Sequence, residues 1–281
     1  MWVVLVGIYG IIKGISEIIR KKSLQISNEI EVLFFYTLIA FIMIIPNVME
    51  AINIEYKYLA LIFAKSFIVF IGWTCGYKAL KCMPVGLYSI LLTSQIIFTT
   101  LAGVLFLEEQ FLINTGFGLA LVIIGIILVN SQKFKDNSFD NKVKPRAIIL
   151  VLINSLCSTC AEISDKVLTA SISCTQLQFW FVLGLCLFYT LYVIVTRTKI
   201  SIKTLKKNYW LWVSAILFVV GDRALFNACA DENSTITAIT LIKRCSVLIA
   251  IWGGKLVFGE KNVIYKTLCA VTIIVGIMIA I

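Results

Sequence analysis

Histidine is absent from this sequence, and charged residues are scarce. The 281 residues include three prolines, no histidine and only 14% Asp, Glu, Lys or Arg. Histidine is the most common metal ligand and the most common general base in proteins. Its absence excludes intramembrane metalloproteases and most hydrolases of the Ser-His type. We therefore expect no metal site, no cofactor and no enzymatic activity.

Other absences narrow the class of protein further. The chain has no Gly-rich loop of the G-x-x-x-x-G-K-[ST] type, so ATP does not drive it unless a partner supplies the nucleotide site. Its nine cysteines lie mostly within apolar stretches, which offer no loops for disulfides to join. The first stretch carries Lys13 and Glu17 and lacks the basic start and cleavage site of a signal peptide. We interpret it as a membrane span.

Long apolar stretches dominate the sequence. Hydrophobic residues make up 60% of the chain and the mean hydropathy is +0.98, whereas soluble domains are usually about half apolar. A helix needs roughly 20 mostly apolar residues to cross a bilayer. The sequence thus predicts an all-α membrane protein with ten transmembrane helices. Their predicted ranges are 2–19, 30–49, 57–80, 84–107, 111–131, 147–168, 176–196, 209–230, 236–258 and 262–281.

The two halves of the chain resemble each other. The same offset of 151 positions separates Glu109 from Glu260 and Gly125 from Gly276, within similar apolar surroundings. In so apolar a chain an internal repeat is typical of carriers, which are commonly built from paired repeats with the substrate between them.

The starts of the halves match more weakly, at an offset of 145 that pairs Glu17 with Glu162 and Lys21 with Lys166. Five spans in each half require the halves to insert in opposite orientations, as an inverted repeat. The predicted units are a first five-helix repeat at 1–132, a basic linker at 133–146 and a second five-helix repeat at 147–281.

The distribution of basic residues predicts how the chain crosses the membrane. Seventeen of the 25 Lys and Arg residues fall in connections that follow odd-numbered spans, and only Lys57 and Lys166 fall on the opposite side. Cytoplasmic loops carry the Lys/Arg excess, so we expect a multi-pass protein of the plasma membrane with both termini outside. This bias explains the net charge of +10, and we expect no nucleic-acid partner.

Some charged residues lie at predicted membrane depth. Each costs roughly 2.5–3.5 kcal/mol on insertion scales, so it indicates function by default. Arg223 is near the centre of its span and must face the protein interior. Its neighbour Asp222 is a poor partner, because adjacent helical residues do not face each other. We expect its partner to be either another helix, with Glu162 as a candidate, or the substrate.

A basic pair, Lys243 and Arg244, begins about one and a half turns inside the ninth span. Its counterparts in the first half are uncharged, and two cations near a cavity favour a carboxylate or phosphate. Snorkelling to the interface is the alternative for this pair and for Glu17, and we expect Asp165 at the interface as well.

Aromatic and amide side chains lie at matching depths. Trp73 and Tyr77 are one helical turn apart, and Gln95 and Trp252 add polar tips to apolar walls. A ring beside a cavity can hold an amine by cation–π attraction. Packing against other helices or against lipid is the alternative for each residue taken alone.

Short motifs recur at equivalent positions of the two halves. They are Gly76-Tyr77-Lys78-Ala79-Leu80, Met83-Pro84-Val85, Leu105-Phe106-Leu107-Glu108-Glu109, Leu241-Ile242-Lys243-Arg244-Cys245-Ser246 and Val257-Phe258-Gly259-Glu260. With these motifs nearly the whole chain resembles the EamA-type drug/metabolite transporters. The resemblance implies an inverted-repeat carrier whose cavity is lined mainly by helices 1, 3, 4, 6, 8 and 9. It leaves the substrate open, and it implies cytoplasmic termini, which the charge count reverses.

We therefore predict a secondary transporter of a small, polar, amino-acid-like metabolite that bears a carboxylate or phosphate. It works in the lipid bilayer as a monomer or homodimer, with protons or Na⁺ as candidate coupling ions. One alternative is an exporter of organic cations that uses buried Glu residues, and a less favoured one is a membrane-embedded lipid-headgroup enzyme. The predicted substrate-binding residues are Arg223, Lys243, Arg244, Glu162, Asp222, Glu17, Trp73, Tyr77, Gln95 and Trp252.

Overall fold

The chain folds into a bundle of long helices. The computed structural model describes residues 1–106, 113–131 and 145–280, and within these ranges it contains no strand. Apolar segments adopt helices in a membrane because every backbone polar group must find its partner inside the segment. The helices are α1 Trp2–Ile26, α2 Glu29–Ile44, a 3₁₀ turn Ile45–Asn47, α3 Val48–Ala51, α4 Tyr56–Cys82, α5 Val85–Leu92, α6 Gln95–Phe106, α7 Ile113–Ser131, α8 Pro145–Thr169, α9 Cys174–Thr196, α10 Ile202–Lys207, α11 Trp210–Cys229, α12 Ile236–Lys243, α13 Ser246–Phe258 and α14 Val263–Ala280.

Eight of the predicted spans are long and apolar enough to cross a membrane. Three are composites: Glu29–Ala51 combines α2 with the 3₁₀ turn and α3, Val85–Phe106 combines α5 with α6, and Ile236–Phe258 combines α12 with α13. The predicted fifth and tenth spans correspond to α7 and α14, whose apolar segments Ile113–Leu128 and Val263–Gly276 are shorter. The all-helical membrane class is therefore confirmed, and the count of ten stays a prediction.

Two spans predicted as continuous helices contain a tight turn. Between α5 and α6 the N–H of Ile96 donates to the carbonyl of Thr93 at 2.9 Å. Between α12 and α13 the N–H of Val247 donates to the carbonyl of Arg244 at 3.0 Å. A local change from i→i+4 to i→i+3 backbone hydrogen bonds in the middle of a helix often marks a functional hinge. The two turns are 151 positions apart, which is the offset at which the halves resemble each other in sequence.

The first helix is longer than predicted because its basic end is buried. It continues past the expected end at residue 19 to Ile26. The ammonium of Lys21, which is 8% exposed, donates to the carbonyls of Leu80 at 2.6 Å and Met83 at 3.0 Å, at the end of α4. The last carbonyls of a helix have no partner within the helix, and a cation complements the dipole there. Lys21 thus belongs to the packed bundle and not to a loop.

Lys166 makes the corresponding contact in the second half. Its ammonium donates to the carbonyls of Cys229 at 3.0 Å and Asp231 at 2.9 Å, at the end of α11, and to the hydroxyl of Ser234 at 2.8 Å. Lys21 and Lys166 are the residues that the 145-position match pairs. In each half a lysine therefore joins the first long helix to the end of the third span.

Helix starts contact segments that are predicted to lie on the same side of the membrane. At one end, Glu31 accepts from the backbone N–H of Ser201 at 3.0 Å and from the hydroxyl of Thr204 at 2.7 Å. At the other, the indole of Trp180 donates to the carbonyl of Ala51 at 2.8 Å. These contacts join the start of α2 to the seventh connection and the start of α9 to the end of α3, in agreement with the alternation of sides used for the Lys/Arg count.

Close packing of α1 and α4 depends on glycine. Helices in lipid associate through tight packing and need small residues at their contacts. A Cβ on Gly14 would lie 2.9 Å from the carbonyl oxygen of Ser246 and 2.7 Å from Cβ of Ile249, so α1 reaches α13 only without a side chain there. A Cβ on Gly76 would lie 2.7 Å from Nδ2 of Asn154. These contacts bring α1 and α4 against helices of the second half.

Two predicted features lie outside the described residues. One is the Glu108-Glu109 helix end, within 107–112. The other is the basic linker, apart from residues 145 and 146, which begin α8.

Candidate functional site

Residues of both halves line a cavity of about 120 Å³. The lining comes from α1, α4, α5, α8 and α11, with Gln95 at the start of α6, Phe181 of α9 and Arg244 after α12. All six spans that were expected to line the cavity contribute residues to it. Phe181 of α9, which is the seventh predicted span, is an additional contact. A cavity of about 150 Å³ admits a benzene-sized molecule, so the space here suits a small ligand.

The cavity is lined by equal numbers of formal positive and negative charges. The lining cations are Lys13, Arg20, Lys65 and Arg244, and the lining acids are Glu17, Glu162, Asp165 and Asp222. We call these eight residues, together with Lys243, the charged cluster. Charges at this depth need partners or a polar cavity, and the cluster divides into paired and unpaired members.

Lys65 and Asp165 form one buried ion pair. The ammonium of Lys65 also lies 3.9 Å from the ring centroid of Phe181 and 4.7 Å from that of Phe226. Asp165, expected at the membrane interface, is thus held within the bundle. It is 4% exposed and faces the cavity because α4 of the first half supplies its cation.

Glu162 receives three donors. Gln95 donates through Nε2 at 2.5 Å, Thr240 through its hydroxyl at 2.7 Å, and Lys243 through its ammonium in a buried ion pair. The carboxylate thus joins α8 to α6 and to α12, close to both tight turns. Lys243 is only 1% exposed, which contradicts the snorkelling alternative for this residue.

Arg244 is a buried guanidinium with an unfilled edge. It is 2% exposed and lines the cavity. Its Nε and Nη2 have no hydrogen-bond partner among the described residues. These two nitrogens share one edge of the planar group, the geometry that matches two oxygens of a carboxylate or phosphate. The snorkelling alternative is excluded for Arg244 as well.

Three further members of the charged cluster have no opposite charge bound to them. Glu17 is 3% exposed and accepts a hydrogen bond from the hydroxyl of Ser89, so it does not snorkel. The ammonium of Lys13 lies 5.9 Å from the ring centroid of Tyr9. In the part of the chain that the structure describes, neither the side chain of Lys13 nor that of Asp222 forms an ion pair or a hydrogen bond.

Arg20 is enclosed by aromatic rings. Its guanidinium carbon lies 5.6 Å from the ring centroid of Tyr77, 5.7 Å from that of Trp73 and 5.8 Å from that of Tyr36. Nη2 donates to the hydroxyl of Tyr36 at 3.3 Å, and Nε has no partner within the described ranges. Trp73 and Tyr77, which the sequence offers as rings for a substrate amine, here hold a cation of the chain itself.

Arg223 lies outside the cavity lining, in contrast to the prediction. Its Nη2 donates to the hydroxyl of Thr175 of α9 at 2.7 Å, and neither Glu162 nor Asp222 pairs with it. Successive residues of a helix are rotated by about 100°. Because Asp222 faces the cavity, Arg223 turns toward α9.

Trp252 is also outside the lining. Its exposed fraction is 46%, and the ammonium of Lys255 lies 5.3 Å from its ring centroid. The inner face of α13 is formed instead by the buried residues Val247, Ala250 and Ile251. The other predicted site residues line the cavity, except Lys243, which contacts it through Glu162.

Lys13 and Arg20 are lining residues that the predicted set omits. Arg20 falls in the first predicted connection, because the predicted first span ends at residue 19. The signal that could have identified both is spacing: with Glu17 between them they fall at positions i, i+4 and i+7, on one face of α1.

Comparisons with known proteins support the fold and the family. Among curated proteins none matches the chain significantly. A solved crystal structure of a protein aligns over 96% of this chain and 96% of its own, with a TM-score of 0.66 and 9% sequence identity, which supports a common fold. Residues 1–131 match the model of the EamA-like transporter family, and this confirms the resemblance inferred from the motifs. This segment, somewhat less than half of the chain, is thus similar to the EamA-type transporters of the drug/metabolite transporter superfamily.

Proposed function

We propose that this membrane transporter is a secondary carrier of a small polar metabolite whose carboxylate or phosphate binds Arg244. The plasma membrane, outward termini, coupling to protons or Na⁺ and a monomeric or homodimeric state belong to the same proposal. The observation that supports this proposal is that Nε and Nη2 of Arg244 have no hydrogen-bond partner among the described residues.

A buried donor without a partner costs the full desolvation energy of that group, and the cost is larger for a charged one. Arg244 lines the cavity with two such nitrogens. An anionic substrate that reaches this edge supplies both missing acceptors at once. A neutral substrate can supply acceptors but no compensating charge, and a cationic substrate is repelled.

Asp222 offers a place for a second, positive group on the substrate. Once the pairs Lys65–Asp165 and Lys243–Glu162 are set aside, three cations and two acids of the charged cluster are left. Asp222 is one of these acids: its side chain lines the cavity and forms no ion pair with any described residue. A zwitterion such as an amino acid satisfies Arg244 and Asp222 together.

Glu162 and Lys243 are assigned a positioning role. Three donors already fill the carboxylate of Glu162, and its ion pair occupies the ammonium of Lys243. Their contacts fix the end of α12, and with it the residue that follows, Arg244. The basic pair predicted from the sequence therefore divides into one positioning residue and one substrate-binding residue.

We also propose ten spans in two inverted repeats. The tight turns at Thr93 and Arg244 and the matching contacts of Lys21 and Lys166 support this arrangement. Two hinges at equivalent positions give each half the means to bend against the other, as alternating access requires.

Ligand-induced stabilisation of the purified protein tests the proposal. Thermal unfolding is measured in detergent with sets of amino acids, other carboxylates, phosphate monoesters and quaternary ammonium ions. We expect an anionic or zwitterionic compound to raise Tm. Arg244→Gln should weaken its binding about tenfold to a hundredfold, because hydrogen bonds to a charged group contribute about 1.5–3 kcal/mol.

Arg223→Gln is the matched control, because it removes the same group from a position outside the cavity lining. It should leave ligand binding unchanged. Unaltered binding by Arg244→Gln would contradict the anion site. Stabilisation by organic cations alone would favour the exporter alternative, and chemical conversion of the ligand in proteoliposomes would favour the lipid-headgroup enzyme.

A further inference from the structure

The rings around Arg20 form a rigid three-sided cage. Tyr36 comes from α2, whereas Trp73 and Tyr77 are one turn apart on α4. Two of the three walls support each other without Arg20: the ring centroids of Tyr36 and Trp73 are 5.6 Å apart, and Phe218 packs 5.0 Å from Tyr36 and 5.3 Å from Trp73. The cage therefore has walls that do not need the arginine in order to persist.

Such a cage has the chemistry of an ammonium-binding site. A cation within about 6 Å of a ring centroid is attracted by the negative face of the ring, and several rings together form the aromatic cages that recognise quaternary ammonium groups. Arg20 meets this distance at all three rings. It approaches from α1, and Arg20, Trp73 and Tyr77 all line the cavity.

Arg20 is held mainly by these rings. Its one hydrogen bond among the described residues is the 3.3 Å contact to the hydroxyl of Tyr36, and its Nε has no partner there. Lys65 is also near rings but in addition forms an ion pair with Asp165. The position of Arg20 is thus best explained by the cage.

We propose that Arg20 is a specificity-determining residue that fills the aromatic cage and so excludes organic cations from the cavity. The guanidinium acts as a tethered ligand at very high effective concentration, and its charge repels a second cation. Without this side chain the same rings form a site for a quaternary ammonium ion. The proposal concerns which compounds are excluded from the cavity, and it does not depend on the anion site at Arg244.

Removal of the tethered cation tests this inference. Tetramethylammonium is titrated into the full-length protein and into Arg20→Ala, with isothermal titration calorimetry as the measurement. We expect no measurable binding of tetramethylammonium to the wild type. Arg20→Ala should bind it with a Kd at least tenfold below the detection limit that the wild-type titration sets. Methylguanidinium, which reproduces the missing group, should bind this variant and not the wild type.

Two controls separate the cage from a general loss of positive charge. Lys13→Ala removes another lining cation, which has a single ring near it at 5.9 Å, and it should gain no tetramethylammonium site. Arg20→Ala combined with Trp73→Ala should lose the gained binding, because one wall is gone. If Arg20→Ala is unstable, Arg20→Gln is titrated in its place.

Equal gains in Lys13→Ala and Arg20→Ala, or no gain in any Arg20 variant, would overturn the proposal. Tight binding of tetramethylammonium by the wild type would overturn it as well. Failure of the anion site appears in the Arg244→Gln measurements and leaves these results unaffected, so the two proposals fail separately.

Discussion

Asp222 and Arg223 are adjacent in sequence, yet they serve different surfaces. Asp222 faces the cavity, whereas Arg223, about 100° further around α11, donates to the hydroxyl of Thr175 of α9. Hydropathy places a residue at a depth in the membrane, and both residues satisfy that criterion. The direction of a side chain around the helix depends on which neighbours surround it. For this reason depth alone selects Arg223 and Trp252 as well as the residues that do line the cavity.

A pair of glycines on α1 tests the packing at the level of single residues. Gly14→Ala should lower the free energy of unfolding by about 1–3 kcal/mol, because the new Cβ meets the backbone oxygen of Ser246 at 2.9 Å. Gly7→Ala has nothing within 4 Å and should raise it by about 0.5–1 kcal/mol. Thermal unfolding of both variants measures the difference. Equal effects would contradict the close contact of α1 with α13.

Helix ends and breaks are the features of single elements that the sequence predicts least well. Neither tight turn contains proline or glycine: they occur at Thr93-Ser94 and Arg244-Cys245. The apolar character continues through them, so the composition shows one unbroken span. The end of α1 is misplaced for a related reason, since the ammonium of Lys21 is satisfied by backbone acceptors of another helix.

The contact of Lys21 with the end of α4 is tested against its neighbour Lys22. Lys21→Met leaves the carbonyls of Leu80 and Met83 without this donor and should destabilise the protein by about 1–3 kcal/mol. Amide exchange should increase around the start of α5. Lys22→Met loses a single cation–π contact with Trp210 at 4.7 Å, worth about 0.5–1 kcal/mol. Equal losses in the two variants would argue against the role of Lys21.

At the scale of the whole molecule, the all-helical membrane class and the order of the apolar spans follow from composition and spacing. Apolar stretches of the right length are visible without neighbours, as are the 151-position repeat and the alternation of basic connections. The pairing of charges is not visible in this way. Lys65 with Asp165 and Lys243 with Glu162 lie 100 and 81 positions apart. The first pair is brought together by the packing of the two halves, and the second by the packing of α12 on α8 within the second half.

The orientation of the chain is tested by fusion of a reporter that is active only in the cytoplasm. We expect a reporter after Ile281 to be silent and one inserted near Asn137 to be active, because 17 of the 25 Lys and Arg residues lie on the side of that connection. Expression of both fusions is measured by immunoblot as the control. The reverse pattern would place both termini in the cytoplasm, where the family resemblance expects them.

The charge of the cavity also has an electrical consequence. The charged cluster holds five cations and four acids, a formal excess of one positive charge. Moving one elementary charge through 100 mV changes the free energy by about 2.3 kcal/mol. In a carrier that turns this cavity from one side to the other, a bound monoanion cancels the excess. The membrane potential then affects the conformational change of the empty carrier, which moves one net positive charge. It hardly affects the conformational change of the substrate-bound carrier, whose cavity is neutral.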